Sequence, residues 1–246
     1  MEAINCVLSK VCKLYQTEKC NNTCPHHVSL YGLTGNGGRT GQTNLPYDYR
    51  YLTLQNSPVR KGQEQIYRTL DKYAETFKRQ FEDDGERIKS LYLWSANPGT
   101  GKTSSAAALL NAWLVEHYLG SLKRNRQALQ QPAYFLDVNE LQTKYNLATM
   151  TSDEKELDEV KRTMRRCMDV PFLVMDDCGI RSASESFKSI VHAIINARTT
   201  GNKPTVFTSN LPIEDMAKVF DARLYDRIRD MCLDIHFSGE SRRGRR

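Results

Sequence analysis

The residues most able to do chemistry form a glycine-rich stretch that ends in a lysine and a threonine, Ala96-Asn97-Pro98-Gly99-Thr100-Gly101-Lys102-Thr103. The apolar run LYLWS precedes it, and the helix-forming run SSAAALLNAWLVEHY comes after it. In a strand, loop and helix of this kind, backbone N–H groups hold nucleotide phosphates, Lys102 neutralises their oxygens and the Thr103 hydroxyl binds Mg²⁺. Ala96 stands where a glycine is usual, which limits the backbone if that position needs a positive φ. We predict a nucleotide site made by Asn97, Pro98, Gly99, Thr100, Gly101, Lys102, Thr103 and Ser104.

Two acidic residues end a second apolar run, Phe172-Leu173-Val174-Met175-Asp176-Asp177. This places both carboxylates at the carboxyl edge of a buried strand, where α/β proteins bind their ligands. We expect Asp176 to hold Mg²⁺, directly or through water, and Asp177 to orient or deprotonate an attacking water. The alternative is that the acids only start the next turn.

Two weaker signals lie further along the chain. The β-rich run PTVFTSN ends in Asn210, whose amide can sense a γ-phosphate or simply begin a turn before Leu-Pro. Arg223 and Arg227 are four residues apart on one helix face, and such an arginine can reach the nucleotide of a neighbouring subunit. A surface ion pair of Arg227 with an adjacent aspartate is the alternative.

Four of the seven cysteines fall within the first 24 residues. Clustered thiols in a chain with no secretory signal indicate a metal site more than disulfides, and zinc takes three cysteines and one histidine readily. The predicted ligands are Cys12, Cys20, Cys24 and His27, with Cys6 or His26 as the alternative fourth ligand. The alternative is that the four cysteines are buried as small apolar side chains and bind no metal.

Short apolar runs and longer helical stretches alternate beyond residue 85, the order typical of a parallel sheet covered by helices. Strands are predicted at 90–94, 133–138, 172–175, 205–208 and 233–237, with helices near 102–119, 139–146, 154–168, 185–200 and 213–231. An apolar stripe from Ile66 to Phe81 predicts another helix, ended by Asp83-Asp84-Gly85. The Gly- and Asn-rich stretch 31–61 places a boundary between an N-terminal domain with its linker, 1–62, and an α/β domain, 63–246.

Composition bounds the class of protein. The 246 residues are 39% hydrophobic and 26% charged, which excludes disordered and fibrous chains. No run approaches the roughly 18 apolar residues of a membrane span, so we expect a cytoplasmic protein with no membrane partner. The net charge of +6 is concentrated at the two ends, which suits an anionic partner such as nucleic acid or merely aids solubility.

Several motifs together resemble one family. GTGKT, VMDDCGI, IINART, PTVFTSNLP, ARLYDRIRDM and the ending HFSGESRRGRR are similar to those of the DnaC/DnaI-type replicative helicase loaders of bacteria and their phages. The resemblance covers about residues 63–246, and the Cys/His segment resembles the zinc-binding front of DnaI-like and phage loaders. The implied fold is a P-loop AAA+ domain, with a five-stranded parallel sheet, helices on both faces and no full helical lid, preceded by a small zinc-binding domain.

The resemblance also implies roles and partners. Lys102 and Thr103 become the Walker A pair, Asp176 and Asp177 the Walker B pair, and Asn210 the first sensor. Arg227 becomes the arginine finger, and Arg243 matches the second sensor best, with Arg242 nearly as good.

The implied activity is Mg²⁺-dependent ATP hydrolysis by a loader within the primosome that self-associates and binds a DnaB-type hexameric helicase and single-stranded DNA. Basic runs near 123–126 and 161–166 are candidates for the DNA contact, or are plain solvated faces. Two other functions stay open, an IstB-like transposition helper and a non-hydrolysing zinc adaptor.

Overall fold

A five-stranded parallel sheet forms the centre of the molecule. The computed structural model describes residues 6–82, 85–179, 183–219 and 222–239. The strands are β1 Ser90–Trp94, β2 Ala133–Asp137, β3 Phe172–Asp176, β4 Thr205–Ser209 and β5 Cys232–His236, in the order β2-β3-β4-β1-β5. Every pairing is parallel. The five predicted strands are confirmed, each end within one residue of its predicted position.

Helices cover both faces of the sheet. The α-helices are α1 Pro25–Tyr31, α2 Gly38–Gly41, α3 Glu64–Glu75, α4 Lys102–Lys123, α5 Val138–Thr151, α6 Glu154–Asp169, α7 Glu185–Thr200, α8 Met216–Val219 and α9 Ala222–Met231. Short 3₁₀ turns lie at Tyr47–Tyr49, Arg60–Gly62, Thr76–Phe81 and Ile213–Asp215. Side chains alternate along each strand, so that Leu91 and Leu93 pack against α3 and α4 while Tyr92 packs on the opposite face. Burial on both faces explains why the strands are nearly all apolar.

Two predicted helices differ in detail. The stripe 66–81 forms α3 only to Glu75 and then tightens into a 3₁₀ turn, and its predicted stop at 83–84 lies outside the described residues. The predicted helix 213–231 begins as a 3₁₀ turn and continues as α8 and α9. Beyond β5 the structure describes residues 237–239, and these form no helix. None of the helices in the described ranges combines the length and apolar character that a membrane crossing requires.

The segment before α3 packs against the sheet rather than apart from it. The Phe135 N–H donates to the Thr43 carbonyl at 2.7 Å, and the Asn44 amide donates to the Phe135 carbonyl at 3.1 Å, so the segment caps the outer edge of β2. On the other side Asn111 of α4 donates to the carbonyls of Tyr49 and Leu52, both at 2.8 Å. The domain boundary at residue 62 stays a prediction.

A buried arginine fastens the N-terminal helices to α4 and the loop after it. Arg39 donates from Nε to the Leu129 carbonyl at 2.9 Å and from Nη2 to the Ala128 carbonyl at 3.0 Å. Its guanidinium carbon lies 5.2 Å from the centre of the Tyr118 ring. Burial lowers the pKa of Arg39. The carbonyls therefore take over the hydrogen bonds that water would otherwise make.

A second buried arginine holds the opposite side of the sheet together. Arg198 of α7 is fully buried and donates to the Thr205 hydroxyl at 2.7 Å. It also donates to four backbone carbonyls, those of Cys167, Val170, Pro171 and Pro204. Burial lowers its pKa to about 9. One side chain thus joins α7, the loop before β3 and the loop before β4.

Candidate functional site

The glycine-rich loop turns sharply between β1 and α4. Gly99 and Gly101 have φ values of 72° and 104°, a backbone that side chains rarely adopt. A Cβ at Gly101 would lie 2.6 Å from Cγ2 of Val59, so the close approach of Val59 also requires glycine there. Ala96 is not among the positive-φ residues, so the departure from the usual glycine costs no backbone strain.

Lys102 at the start of α4 points back into the loop. Its Nζ donates to the carbonyls of Ser95 at 3.2 Å and Asn97 at 3.1 Å. The side chain is 8% exposed, and its ammonium lies within the concave face of the loop. The hydroxyl Oγ1 of Thr100 is buried there with no hydrogen-bond partner among the described residues. A buried donor of this kind fits a ligand that brings its own acceptor oxygens.

The first acid, Asp176, lies at the end of β3 between two hydroxyls. Thr208 of β4 donates to its Oδ1 at 2.6 Å, and Thr103 donates to its Oδ2 at 3.2 Å. Burial, with smaller contributions from Asp137 and Asp177 and against the effect of the two hydroxyls, raises the pKa of Asp176 to about 6. A buried carboxylate beside a threonine hydroxyl is an oxygen donor set that suits Mg²⁺.

The second acid, Asp177, is held in an unusual backbone conformation with φ of 58°. Its N–H donates to the Thr208 hydroxyl at 2.9 Å, and two amides bind its carboxylate. Asn210 donates to Oδ1 at 3.2 Å, and Asn139 donates to Oδ2 at 2.7 Å. Non-glycine residues rarely adopt a positive φ, so surrounding contacts are needed to hold Asp177 in this conformation. The structure therefore brings Asp177 and Asn210 together.

Sequence reasoning missed two residues of this site. Asn139 comes two residues after β2, and Thr208 lies in β4, one strand over from Asp176. Asn139 could have been predicted as a site residue, because it comes after the carboxyl end of a parallel strand, as Asp177 does. Thr208 was hidden among the β-branched residues that any strand favours.

A cavity of about 550 Å³ opens beside Thr103 and Asp176. Asp137 and Glu140 also line it, and the segment from Gly41 to Arg50 forms its other wall. Lys102 and the preceding loop residues do not line it. The cavity thus extends the site on the side away from the glycine-rich loop, towards the edge strand β2.

Comparisons with known proteins agree with this geometry. No protein-family model matches the chain. The replicative helicase loader DnaC of Escherichia coli K12 is 27% identical over 168 residues, which cover 68% of this chain and 62% of that protein. The chain is therefore similar in sequence to replicative helicase loaders of the DnaC type. The chain thus spans about three fifths of the length of that DnaC.

Solved structures of loaders share the fold. The crystal structure of DnaI superposes with a TM-score of 0.59 at 24% identity, covering 83% of this chain and 99% of that one. The crystal structure of the DnaC helicase loader gives a TM-score of 0.56 at 20% identity, covering 78% and 99%. The predicted five-stranded parallel sheet with helices on both faces is confirmed, and the DnaI and DnaC structures share this fold.

Of the predicted arginine finger and second sensor, only Arg227 lies within the described residues. Arg227 is exposed on α9, and the adjacent Asp226 pairs at 3.2 Å with Arg229 rather than with Arg227. Arg243 and Arg242 lie outside the described residues. On α6, Lys161 and Arg162 pair with Asp158 and Glu159, which accounts for that basic run as a solvated helix face.

The N-terminal thiols share one small pocket, lined by Cys6, Cys12, Cys20, Cys24, His26 and His27. Burial raises the pKa of the Cys6 thiol, and the other three thiols raise it further. His26 is engaged elsewhere, with its Nδ1 2.9 Å from the Tyr118 hydroxyl, whereas Nδ1 of His27 is buried with no hydrogen-bond partner in the described part of the chain. Yet no three His, Cys, Asp or Glu side chains in the described ranges meet as a metal site, so the predicted zinc site is not supported.

Proposed function

We propose that this protein is an ATP-dependent loader that helps place a hexameric replicative helicase of the DnaB type on single-stranded DNA in the cytoplasm. One observation carries the proposal. Thr103, directly after the loop lysine, contacts Asp176, and Asn210 contacts Asp177, at one edge of a sheet whose fold the DnaI structure shares. The similarity to DnaC over 68% of the chain supports the choice of partner.

The proposed nucleotide is ATP with Mg²⁺. Residues Asn97–Ser104 would bind the phosphates, with Lys102 leaving its loop carbonyls to neutralise them. Thr103 and Asp176 would hold Mg²⁺, which when bound polarises the terminal phosphate and offsets its charge. Asp177, oriented by two amides, would accept a proton from the attacking water.

Self-association would complete the site. An exposed Arg227 on α9 is able to reach the nucleotide of a neighbouring copy, where it would stabilise charge that develops on the transferred phosphoryl group. Arg243 in the basic tail is the proposed second sensor within the same subunit. Replacing Arg227 with alanine should leave nucleotide affinity unchanged and lower turnover. Mixing the Arg227→Ala protein with a Lys102→Ala protein should restore part of that turnover if the arginine acts between subunits.

One experiment separates this function from its alternatives. ATP turnover and co-migration with a hexameric replicative helicase are measured with and without single-stranded DNA, for the parent and for Lys102→Ala. A loader binds the helicase and shows DNA-stimulated hydrolysis that the variant loses. Hydrolysis without helicase binding would favour the IstB-like transposition helper, and helicase binding without hydrolysis would favour the adaptor.

Zinc in the N-terminal pocket stays a proposal. Three ligands would be Cys12, Cys20 and Cys24, and the fourth would be either His27, whose buried Nδ1 has no partner among the described residues, or Cys6, whose thiol lies near the other three. Metal analysis of the parent beside Cys6→Ser, Cys12→Ser, His26→Ala and His27→Ala variants tests it. If the parent contains close to one zinc per chain and Cys12→Ser contains none, the site is supported. If the parent contains negligible zinc, the proposed site is refuted.

A further inference from the structure

Strand β5 is an edge strand whose outer side faces an open groove. The sheet order β2-β3-β4-β1-β5 leaves β2 and β5 at the two edges. The edge of β2 is covered by Thr43 and Asn44, which bond to Phe135. Along β5, by contrast, a groove of about 570 Å³ lies between the strand and the first turns of α3. In the described part of the chain, the edge at β5 is therefore the one that another strand can approach.

The backbone groups on the outer side of β5 can be identified from its pairing with β1. The Phe237 N–H donates to the Trp94 carbonyl at 2.8 Å, so the backbone groups of Phe237 point towards β1. Because these groups alternate in direction along a strand, those of Asp234 and His236 point outward. Within the described ranges, β5 pairs with β1 alone. The outward N–H and C=O groups are thus free to pair with an added strand.

The side chains of β5 differ in chemistry between the two faces of the sheet. Leu233 and Ile235 lie on the face covered by α3, and Leu233, which is 43% exposed, lines the groove together with Ile66 of α3. Asp234 and His236 lie on the opposite face and are exposed. A strand added at this edge would therefore meet an apolar row on one face and a polar row on the other.

The polar row carries negative charge and is held in place by an aromatic ring. The Trp94 Nε1–H donates to Oδ2 of Asp234 at 3.1 Å, and the Trp94 ring stacks on His236 with ring centres 4.2 Å apart. Burial raises the pKa of Asp234, and the charge of Glu214 raises it further. Glu64 of α3 adds another carboxylate to the groove, and the described residues that line it include no lysine or arginine. Basic side chains therefore complement this edge.

A second copy of this chain fits the edge less well than a different protein does. If two β5 strands paired antiparallel in the register that matches the most outward-facing residues, Asp234 would face the same residue of the second copy. Like charges directly opposite each other destabilise a pair of strands. The register that places Asp234 opposite His236 avoids this repulsion but leaves Cys232 without a partner, which shortens the pairing.

We propose that the outer edge of β5 binds an extended segment of a different protein, in which basic side chains alternate with apolar ones. The segment adds one more strand to the sheet, and its backbone bonds to the outward groups of Asp234 and His236. Its apolar side chains lie along Leu233, and its basic side chains lie along Asp234. The proposal does not depend on the nucleotide site, because no residue of the glycine-rich loop lines the groove.

Fluorescence anisotropy with a short labelled peptide of alternating valine and arginine tests the proposal on the parent, Asp234→Asn and Asp158→Asn. The parent should bind this peptide at concentrations below about 1 mM and should not bind an analogue of alternating valine and glutamate. Asp234→Asn should weaken binding about two- to fivefold, the contribution of one opposite-charge pair between strands. Asp158→Asn, the same change on an exposed aspartate of α6, is the matched control and should bind as the parent does.

Methylated peptides distinguish strand pairing from attraction between charges. In a paired strand, alternate N–H groups face the neighbouring strand and the others face solvent. N-methylation of one alternate set in the arginine peptide should therefore weaken binding at least about tenfold, whereas N-methylation of the other set should change it less than about twofold. An equal effect of the two methylations would overturn the proposal.

Hydrogen exchange covers the case in which Asp234→Asn does not fold. In the parent, the backbone amides of Asp234 and His236 should exchange more slowly when the arginine peptide is present, and those of β2 should not change. Unchanged exchange at β5, or no binding by the parent at about 1 mM peptide, would overturn the proposal and leave Asp234 as a charge that protects the edge from pairing. Dimers of the parent that become stronger in Asp234→Asn would place a second copy on this edge and would also overturn it.

Discussion

Replacing the buried acid Asp176 with asparagine should make the protein without nucleotide more stable, although it removes a proposed magnesium ligand. Burial raises the pKa of Asp176 from 3.8 to about 6. At 1.36 kcal/mol per pH unit, keeping this carboxylate ionised in the folded protein costs about 3 kcal/mol at neutral pH. Asparagine has the same shape and carries no charge, and its oxygen can still accept the hydrogen bond from Thr208. The replacement should therefore recover up to about 3 kcal/mol.

The direction of the pH dependence comes from the raised pKa. Because the folded protein holds the Asp176 proton more tightly than the unfolded chain does, the parent gains stability from this group as the pH falls through about 6. The advantage of Asp176→Asn should therefore be full at pH 7.5 and about half as large at pH 5. For a chain of this length, about 3 kcal/mol corresponds to a rise in Tm of roughly 6–12 °C.

Thermal and urea denaturation in EDTA at pH 7.5 and pH 5 measure this difference. Asp177→Asn is the matched control, because its new amide would face the donating amides of Asn139 and Asn210 and should give no gain. If Asp176→Asn is no more stable than the parent at pH 7.5, the reasoning that burial disfavours the charged carboxylate is refuted. Mg²⁺ with ATP should stabilise the parent, and Asp176→Asn should lose this stabilisation.

Three other replacements test single contacts. Asn139→Ala removes one of the two amide donors that orient Asp177. ATP turnover, measured by steady-state kinetics, should therefore fall about tenfold while the affinity for the nucleotide stays unchanged. Unaltered turnover would contradict this role of Asn139. Arg198→Met removes the guanidinium donor from four backbone carbonyls and should lower the free energy of unfolding by about 3–5 kcal/mol in urea titration. A change below about 1 kcal/mol would contradict the assigned role. Burial lowers the pKa of His117 to about 4. The free energy of unfolding should therefore fall by about 1 kcal/mol between pH 7.5 and pH 5.5, because the unfolded chain binds this proton more readily, and the loss should disappear in His117→Gln. An identical pH dependence of stability in the two proteins would refute this reasoning.

The strands and the polar residues at their carboxyl ends were predictable because local patterns determine them. A strand buried on both faces is a continuous apolar run, and the polar residue directly after it must lie at the carboxyl edge of the sheet. Asp176 and Asn210 were found in this way. Their partners depend on which strands are neighbours, and nothing in the local pattern states that β3 lies between β2 and β4. For that reason the contact of Asp177 with Asn139 appeared only in the structure.

The region before α3 was the least predictable from the sequence. Its Gly- and Asn-rich composition is typical of a linker, yet Leu45, Leu54 and Val59 are buried in the main core. Three apolar residues spread over 15 positions show neither helical nor strand periodicity, so no pattern signalled their burial. Arg39 likewise looks like one more surface charge until its carbonyl partners are seen.

The cap that Thr43 and Asn44 place on β2 has a consequence for any attempt to study the predicted α/β domain, 63–246, alone. A fragment that begins at residue 63 would lose this cap and the buried side chains of Leu45, Leu54 and Val59. Its outermost strand would then present unpaired backbone groups to solvent, beside a hole in the apolar layer, and exposed edges of this kind pair between molecules. We therefore expect the minimal stable unit of this protein to begin no later than Thr43.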